Sequence, residues 1–353
     1  MAPAPRRRER GAAPLSASRR ILHVLNGDAT AELLARSGLS GDRLPFREAL
    51  VSGPTPDLGR ARWRACRAAH LASEAGTDRA DVEAELERTD RALDQAREYE
   101  EVVLWFEHDL FCQVNLIHLL ARLGLDAPEG SNLRLVCIAE HPGVPDFRGL
   151  GQLSAAQLAA LFEQRAPVTE GQIALATEAW GAYRSPDPAA IENLLAGDTA
   201  DLPFLREALE LHLARFPSTR NGLGLVENVA LGRMLQGVED FATLFREFED
   251  AEPGYGFGDL QFLAALERLA RGREPLLVAG GEGPTVRQAE VTPGLRFRLT
   301  DAGRRVAESE RDHVEMNGID LWLGGAHLRD DRLWRWDERA EELVAVGTAV
   351  ADA

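Results

Sequence analysis

From residue 21 to residue 138, short apolar runs alternate with longer stretches whose apolar positions recur at helical spacing. Ile21-Leu22-His23-Val24-Leu25 is the first run, and it stops at Asn26-Gly27-Asp28. A five-residue apolar run bounded by turn residues predicts a buried strand, and the segment after it predicts a helix to about Arg36 with Asp28 as N-cap. Arg43-Leu44-Pro45-Phe46 predicts a second short strand, weakened by Pro45, which has no N–H for a ladder. Residues 61–75 and 79–98 predict helices, the second preceded by Thr77-Asp78 and carrying Glu/Arg pairs at helical spacing. Glu101-Val102-Val103-Leu104-Trp105-Phe106 is the clearest buried strand, passing through Glu107-His108-Asp109 into an apolar helix over 110–123. Leu133-Arg134-Leu135-Val136-Cys137-Ile138 predicts a further strand, ending at Glu140-His141-Pro142-Gly143. This alternation predicts a small parallel sheet covered by helices on both faces.

After Pro145 the pattern is helical only. Ser154-Ala-Ala-Gln157 and Thr169-Glu-Gly-Gln172 are capping boxes ahead of apolar periodic runs. Helices are expected near 188–196 and over 203–215, 224–236, 239–249 and 259–271, with Gly237 and Gly272 as stops. Strands return at 275–278 and 295–299 around a Gly/Pro-rich loop, and Thr300 caps a helix to about Glu310. Three helices, a ribbon and a closing helix predict a winged-helix-like part. The expected architecture is an α/β domain over 21–148, an all-α region over 149–221 and a winged-helix-like domain over 222–340. A basic tail precedes them in 1–20. No internal repeat is visible.

Composition removes whole classes of chemistry. The chain has 353 residues and all 40 of its Lys+Arg positions are arginine. Without a lysine amine there is no Schiff base, which disfavours pyridoxal phosphate, and no P-loop ATP site of the usual kind. A net charge of -17 disfavours nucleic acid or an anionic membrane as the main partner. The tail departs from this: residues 1–20 hold six arginines against Glu9, with no apolar core of a secretory signal, and read as a disordered extension, a misplaced start or an electrostatic tether. No run reaches the roughly 18 apolar residues of a membrane span. Cys66, Cys112 and Cys137 form no CxxC pair, so neither a disulfide framework nor a zinc ribbon is supported. A cytoplasmic protein is expected.

The candidate chemistry lies at the strand ends. In open parallel sheets ligands bind beyond the carboxyl ends of the strands, and three predicted strands end in Asn26-Gly27-Asp28, Glu107-His108-Asp109 and Glu140-His141. Brought to one edge, these would offer acid–base catalysis or oxygen and nitrogen ligands for a divalent ion. His108 is the expected acid or base, oriented by Glu107 or Asp109, with Asp28 as a further catalytic carboxylate. Asn26, Gly27, Arg47, Gln113, Glu140 and His141 are expected to bind substrate, Gly27 by letting backbone approach an anion at a helix N-terminus. The plainer readings stay beside these: Asp28 and Asp109 as helix caps, Glu140 as a solvated loop residue, Arg47 as an exposed ion pair. Cys112, four residues after His108, raises a Cys/His nucleophile against the plainer buried structural cysteine. No residue is assigned as a metal ligand. The absence of GxGxxG disfavours a dinucleotide, and the absence of GxSxG a serine nucleophile.

Residues 222–310 carry 10 Arg against 15 Asp and Glu, and helix 259–271 lacks a basic face, so a winged helix here suits protein contact better than DNA. Asn317-Gly318-Ile319-Asp320-Leu321-Trp322-Leu323-Gly324-Gly325-Ala326-His327-Leu328 reads as a hairpin turning at Gly324-Gly325. The sharper reading has His327 and nearby tryptophans closing a ligand site.

Leu22-His23-Val24-Leu25-Asn26-Gly27-Asp28, Leu44-Pro45-Phe46-Arg47-Glu48 and Trp105-Phe106-Glu107-His108-Asp109-Leu110-Phe111-Cys112-Gln113 resemble blocks of the bacterial domain-of-unknown-function 1835 family. Gly149-Leu150-Gly151-Gln152-Leu153 and the Asn317–Gly325 stretch resemble later blocks of such proteins. The resemblance implies an α/β N-terminal domain and no particular activity. The expected function is a small-ligand-binding or hydrolase/transferase-like α/β domain acting on a phosphorylated or nucleotide-like substrate. The alternative is a non-enzymatic, transcription-associated regulator using the winged helix.

Overall fold

The computed structural model describes residues 20–124, 132–280 and 294–346. All but the last residue of the basic tail and most of the Gly/Pro-rich loop before Leu295 lie outside these.

A five-stranded sheet organises the first half of the chain. Its strands are β1 (Ile21–Leu25), β2 (Asp42–Pro45), β3 (Glu101–Glu107), β4 (Leu133–Ile138) and β5 (Ala166–Pro167), in the order β2-β1-β3-β4-β5. The first four are parallel and β5 closes antiparallel to β4. Helices α1 (Asp28–Arg36), α2 (Arg60–Ala75), α3 (Arg79–Asp94), α4 (Leu110–Gly124) and α5 (Ala155–Phe162) connect and cover it.

The alternation of side chains along β3 explains its uninterrupted apolar run. Val102, Leu104 and Phe106 join the core formed with α4, while Val103 and Trp105 join a second core with Leu34 of α1 and Leu158 and Leu161 of α5. Both faces are covered, so every residue of β3 is buried. Each such apolar side chain contributes about 1.5–3 kcal/mol on leaving water. The chain runs outward from β1 to β2, then crosses back to β3 on the other side of β1. α1 and α4 consequently lie on opposite faces, which makes the gap between β1 and β3 the switch point of the sheet.

Beyond the sheet come α6 (Glu170–Tyr183), α7 (Ala189–Leu195), α8 (Leu205–Leu213), α9 (Leu225–Leu235), α10 (Phe241–Ala251) and α11 (Asp259–Leu269). Both capping boxes form, at Ser154/Gln157 and Thr169/Gln172. A two-stranded ribbon, β6 (Leu277–Gly280) with β7 (Arg296–Leu299), precedes α12 (Asp301–Ala307) and α13 (His313–Asn317). Two hairpins end the described chain, β8 (Asp320–Leu323) with β9 (Ala326–Arg329) and β10 (Leu333–Asp337) with β11 (Glu342–Val346). One buried apolar cluster runs from Leu22 in β1 to Leu343 in β11, so a continuous core crosses the boundaries expected near 148 and 221. Among the described residues no helix is long and apolar enough to cross a membrane.

Two local expectations change. α3 ends at Asp94, and a separate 3-10 turn takes Ala96–Glu98. The N-cap position of α1 belongs to Gly27, with φ 95°, and Asp28 is the first helical residue and makes no cap. A left-handed Gly27 lets the chain leave β1 sharply, which starts the helix one residue earlier than a capping Asp28 would.

Candidate functional site

The switch point holds a sealed polar cluster. Asn26, just past β1, donates its backbone N–H to Trp105 O at 3.2 Å, which aims its side chain toward the end of β3. Its Nδ2 donates to Cys112 Sγ at 2.8 Å and lies 3.4 Å from Glu107 Oε2. Glu107, the last residue of β3, accepts from the Cys112 thiol at 2.8 Å through Oε2 and from Leu150 N–H at 2.8 Å through Oε1. Asp109 caps α4, accepting from Cys112 N–H at 2.9 Å. Glu107, Asp109 and Cys112 are all buried.

The electrostatics follow from that burial. Among the described residues no arginine pairs with Glu107 or Asp109. Desolvation, with repulsion from Asp109 second, pushes Glu107 up to about 7. Desolvation also raises Asp109 and lifts the Cys112 thiol well above its usual range. The thiol therefore stays protonated and serves as a donor. Glu107, Asp109 and Cys112 each offer one ligand atom within 4.8 Å of the others, a set able to hold a divalent ion if the thiol gives up its proton.

The other expected residues take different directions. His108 is partly buried with Nδ1 unpartnered, and its ring meets Phe204 edge-on at 6.2 Å. Neither Glu107 nor Asp109 hydrogen-bonds it, because three consecutive residues of a strand-to-helix turn point three ways. The expected orientation of His108 by a carboxylate is therefore not formed. Gln113 Nε2 donates to Glu107 O at 2.7 Å, a contact internal to the strand–helix turn. Asp28 points outward and takes a two-pronged grip from Arg47, at 2.8 Å and 2.7 Å, while Arg47 also reaches Glu85 at 2.5 Å. Glu140 is exposed, and His141 Nδ1 accepts from Gly143 N–H within its own turn at 3.1 Å. The polar strand ends thus share one edge of the sheet, while Asp28, Glu140 and His141 stay outside the cluster that Asn26 and Glu107 build with Cys112. The spacing Asp109-x-x-Cys112, a cap followed by its N3 residue, ties Cys112 to this corner.

An open cleft lies one strand over, beyond the carboxyl end of β2. It encloses about 300 Å³ between the loop after β2 and helices α2, α3, α4 and α11. His118, on the third turn of α4, sits half-buried there between Trp63 and Phe46, with ring centroids 6.3 Å and 6.0 Å away and the Trp63 plane tilted by only 11°. Trp180 closes on it edge-on at 4.7 Å. Its Nδ1 is buried without a partner. Desolvation, with Arg122 nearby, pulls the imidazole down to about 3, so it is neutral at physiological pH. Arg47 and its ion pairs stand at the rim, and Arg64 and Arg122 both bind Asp90, at 3.0 Å and 2.5 Å. Sequence reasoning missed His118 and Trp63, since a histidine inside an apolar helix carries the same periodicity as core.

The hairpin turns at Gly324-Gly325, and His327 stacks on Trp322 at 4.0 Å and pairs with Asp320 at 2.6 Å. No protein-family model matches this chain, and no curated protein matches it.

Proposed function

We propose that this chain is a small-ligand-binding α/β protein whose cleft beyond β2 takes a phosphorylated, nucleotide-like ligand. The planar part stacks against Trp63 and His118, and the anionic part meets Arg47 at the rim. The observation that carries this reading is the buried, unpartnered His118 Nδ1 in an aromatic cleft of about 300 Å³. A buried polar atom without a partner costs about 1–3 kcal/mol, and a ring donor or a water would recover it. Apolar walls with a few convergent polar groups are the usual make-up of small-molecule sites. Arg47 supplies a planar fork suited to phosphate.

Hydrolase or transferase chemistry ranks second to binding. A carboxyl near 7 is poised for proton transfer, yet Glu107 is covered by the Leu150 turn, so a chemical step there requires that turn to move. The likeness to the domain-of-unknown-function 1835 family belongs to this reading, because three of its blocks supply Asn26, Glu107 with Cys112, and Leu150.

Thermal-shift titration with nucleoside phosphates, sugar phosphates and divalent ions tests the cleft, using the wild type, His118→Phe and Trp63→Leu. A nucleoside phosphate that stabilises the wild type and neither variant supports it. Equal stabilisation of all three removes the cleft from consideration.

A second reading rests on the order α9, α10, α11, β6, β7, α12, that of a winged helix. It would act through protein contact in a transcription-associated assembly. On and just after α11, Arg268 pairs with Glu227 and Arg271 with Glu267, at 2.7 Å and 3.0 Å, which argues against a DNA-reading face. A gel shift on duplex DNA at low salt would reinstate nucleic acid.

A further inference from the structure

The sealed cluster at the switch point holds more ligand chemistry than its hydrogen bonds use. Glu107 and Asp109 are each 4% exposed and Cys112 is 1% exposed, and one ligand atom from each lies within 4.8 Å of the other two. Among the described residues this is the one group of three His, Cys, Asp or Glu side chains drawn so close together.

Two buried carboxylates side by side need a counter-charge, and proteins pair such groups or give them to a metal. Among the described residues neither has an arginine or histidine within ion-pair distance. His108, between them in the chain, turns its ring to Phe204 instead. The counter-charge must then come as protons or as a cation.

Asn26 points to the cation. Its Nδ2 stands 2.8 Å from Cys112 Sγ and 3.4 Å from Glu107 Oε2, whereas its Oδ1 is buried and has no hydrogen-bond partner. A buried carbonyl oxygen without a partner is costly. A half-turn of the amide exchanges its two ends with almost no change of shape, and brings Oδ1 to the point that Cys112 and Glu107 already face. Two carboxylates, a thiol and an amide oxygen then converge. Each carboxylate also has one oxygen held by a backbone N–H, Glu107 Oε1 by Leu150 at 2.8 Å and Asp109 Oδ1 by Cys112 at 2.9 Å. Metal-binding carboxylates carry such outer support.

The donor set selects the ion. Calcium and magnesium take oxygen ligands, whereas a thiolate favours zinc and ions like it. Bonds of about 2.0–2.3 Å set tetrahedral ligands roughly 3.3–3.8 Å apart, inside the spread observed here. Cys112 Sγ and Glu107 Oε2, now at 2.8 Å, would part by roughly 1 Å.

We propose that Asn26, Glu107, Asp109 and Cys112 form a structural site for a zinc-class divalent ion, which pins the end of β1 to the end of β3 and the start of α4. On loading, the Cys112 S–H bond breaks and the sulfur lone pair binds the ion. The thiol proton leaves to solvent, as does the proton that Glu107 carries in the metal-free chain. Four protein ligands leave no open position, which marks a structural rather than a catalytic ion. The site is independent of the His118 cleft.

The test uses the full chain without a histidine tag, stripped with a chelator and reloaded with zinc or cobalt. Zinc is expected to bind as one ion per chain and to raise the melting temperature by about 4 °C or more at a hundredfold excess over Kd. Cobalt is expected to show the thiolate-to-metal charge-transfer absorption of a sulfur ligand. Cys112→Ser is expected to abolish that band, while Cys66→Ser and Cys137→Ser keep it. Glu107→Gln preserves the shape of the side chain and folds without metal, and it is expected to bind zinc at least tenfold more weakly. His118→Phe is expected to keep the full response, which separates this site from the cleft. The proposal fails if neither ion binds the stripped wild type, or if the cobalt band survives Cys112→Ser or is lost in Cys66→Ser. It fails equally if magnesium stabilises as strongly as zinc, or if Glu107→Gln responds as the wild type does.

Discussion

The Cys112 thiol donates to Glu107 Oε2 at 2.8 Å while Cys112 N–H donates to Asp109 Oδ1 at 2.9 Å, so one residue bridges two buried carboxylates. Its effect on stability has a definite sign. Glu107 has a folded value of about 7 against 4.5 when exposed, so the folded state holds a proton that the unfolded state has released. Stability therefore falls as pH rises between those values, by roughly 3 kcal/mol for a shift of this size. Asp109, also raised, acts in the same direction. Glu107→Gln is expected to flatten this slope and to be more stable than wild type near pH 8. Urea midpoints across the range decide it, and an unchanged slope would contradict a protonated Glu107.

The same geometry predicts an unreactive Cys112. Burial lifts its thiol well above the ordinary range and lifts Cys137 to about 12, although Cys137, like Cys66, is half-buried as a residue. Nucleophilicity requires thiolate. In native protein near pH 8 a disulfide reagent should label Cys66 first, and all three thiols only after unfolding. Rapid native labelling lost in Cys112→Ala would restore the Cys/His nucleophile.

The sheet was legible in the sequence because β1 and β3 are apolar runs that must be buried on both faces. The directions of the side chains at their ends were not. Those depend on the dihedrals of single turn residues: Gly27 at φ 95° sends Asp28 to Arg47, nineteen positions away in the chain. His118 was hidden because only tertiary packing brings Phe46, Trp63 and Trp180 around it.

Arg67 holds the loop that walls the cleft. It is fully buried, binds Glu48 Oε1 at 3.0 Å and 2.7 Å, and donates to the carbonyls of Ala49, Ser52 and Pro54. Arg67→Ala strands Glu48 and those carbonyls, at an expected cost of about 3–5 kcal/mol. Lysine cannot reproduce the fork, so Arg67→Lys should recover little of this. Chemical denaturation of both variants checks it; a loss below about 1 kcal/mol in Arg67→Ala would mean the loop is held by other contacts.

Gly256 ties the helical half to the strand-end cluster. It has φ 60°, and a Cβ there would overlap the Asp109 carboxylate. Gly256→Ala therefore meets both a left-handed backbone and a carboxylate locked by its cap. The expected loss is about 2 kcal/mol or more. Pairing it with Asp109→Ala should reduce the added cost, since the shorter side chain vacates the space. A double-mutant cycle reads this directly: strict additivity would place the strain in the backbone alone.

His118 titrates with the opposite sign to Glu107. Its folded value is about 3 against 6.5 when exposed, so the unfolded chain takes up a proton that the folded state refuses. Stability is therefore lost as pH falls below about 6.5, roughly 2 kcal/mol between pH 7 and pH 5 for this group. His212, buried and also lowered, adds to the same loss. His118→Phe keeps the stack with Trp63 and removes both the titration and the unpartnered Nδ1. It should match or exceed the wild type near pH 7 and lose visibly less stability near pH 5, while Glu107→Gln should lose more than the wild type over that interval. Measured together, the two variants separate opposing slopes that partly cancel in the wild type. An acid loss in His118→Phe equal to that of the wild type would show that His118 gains a proton in the folded state, and the cleft would then hold an imidazolium rather than a neutral ring.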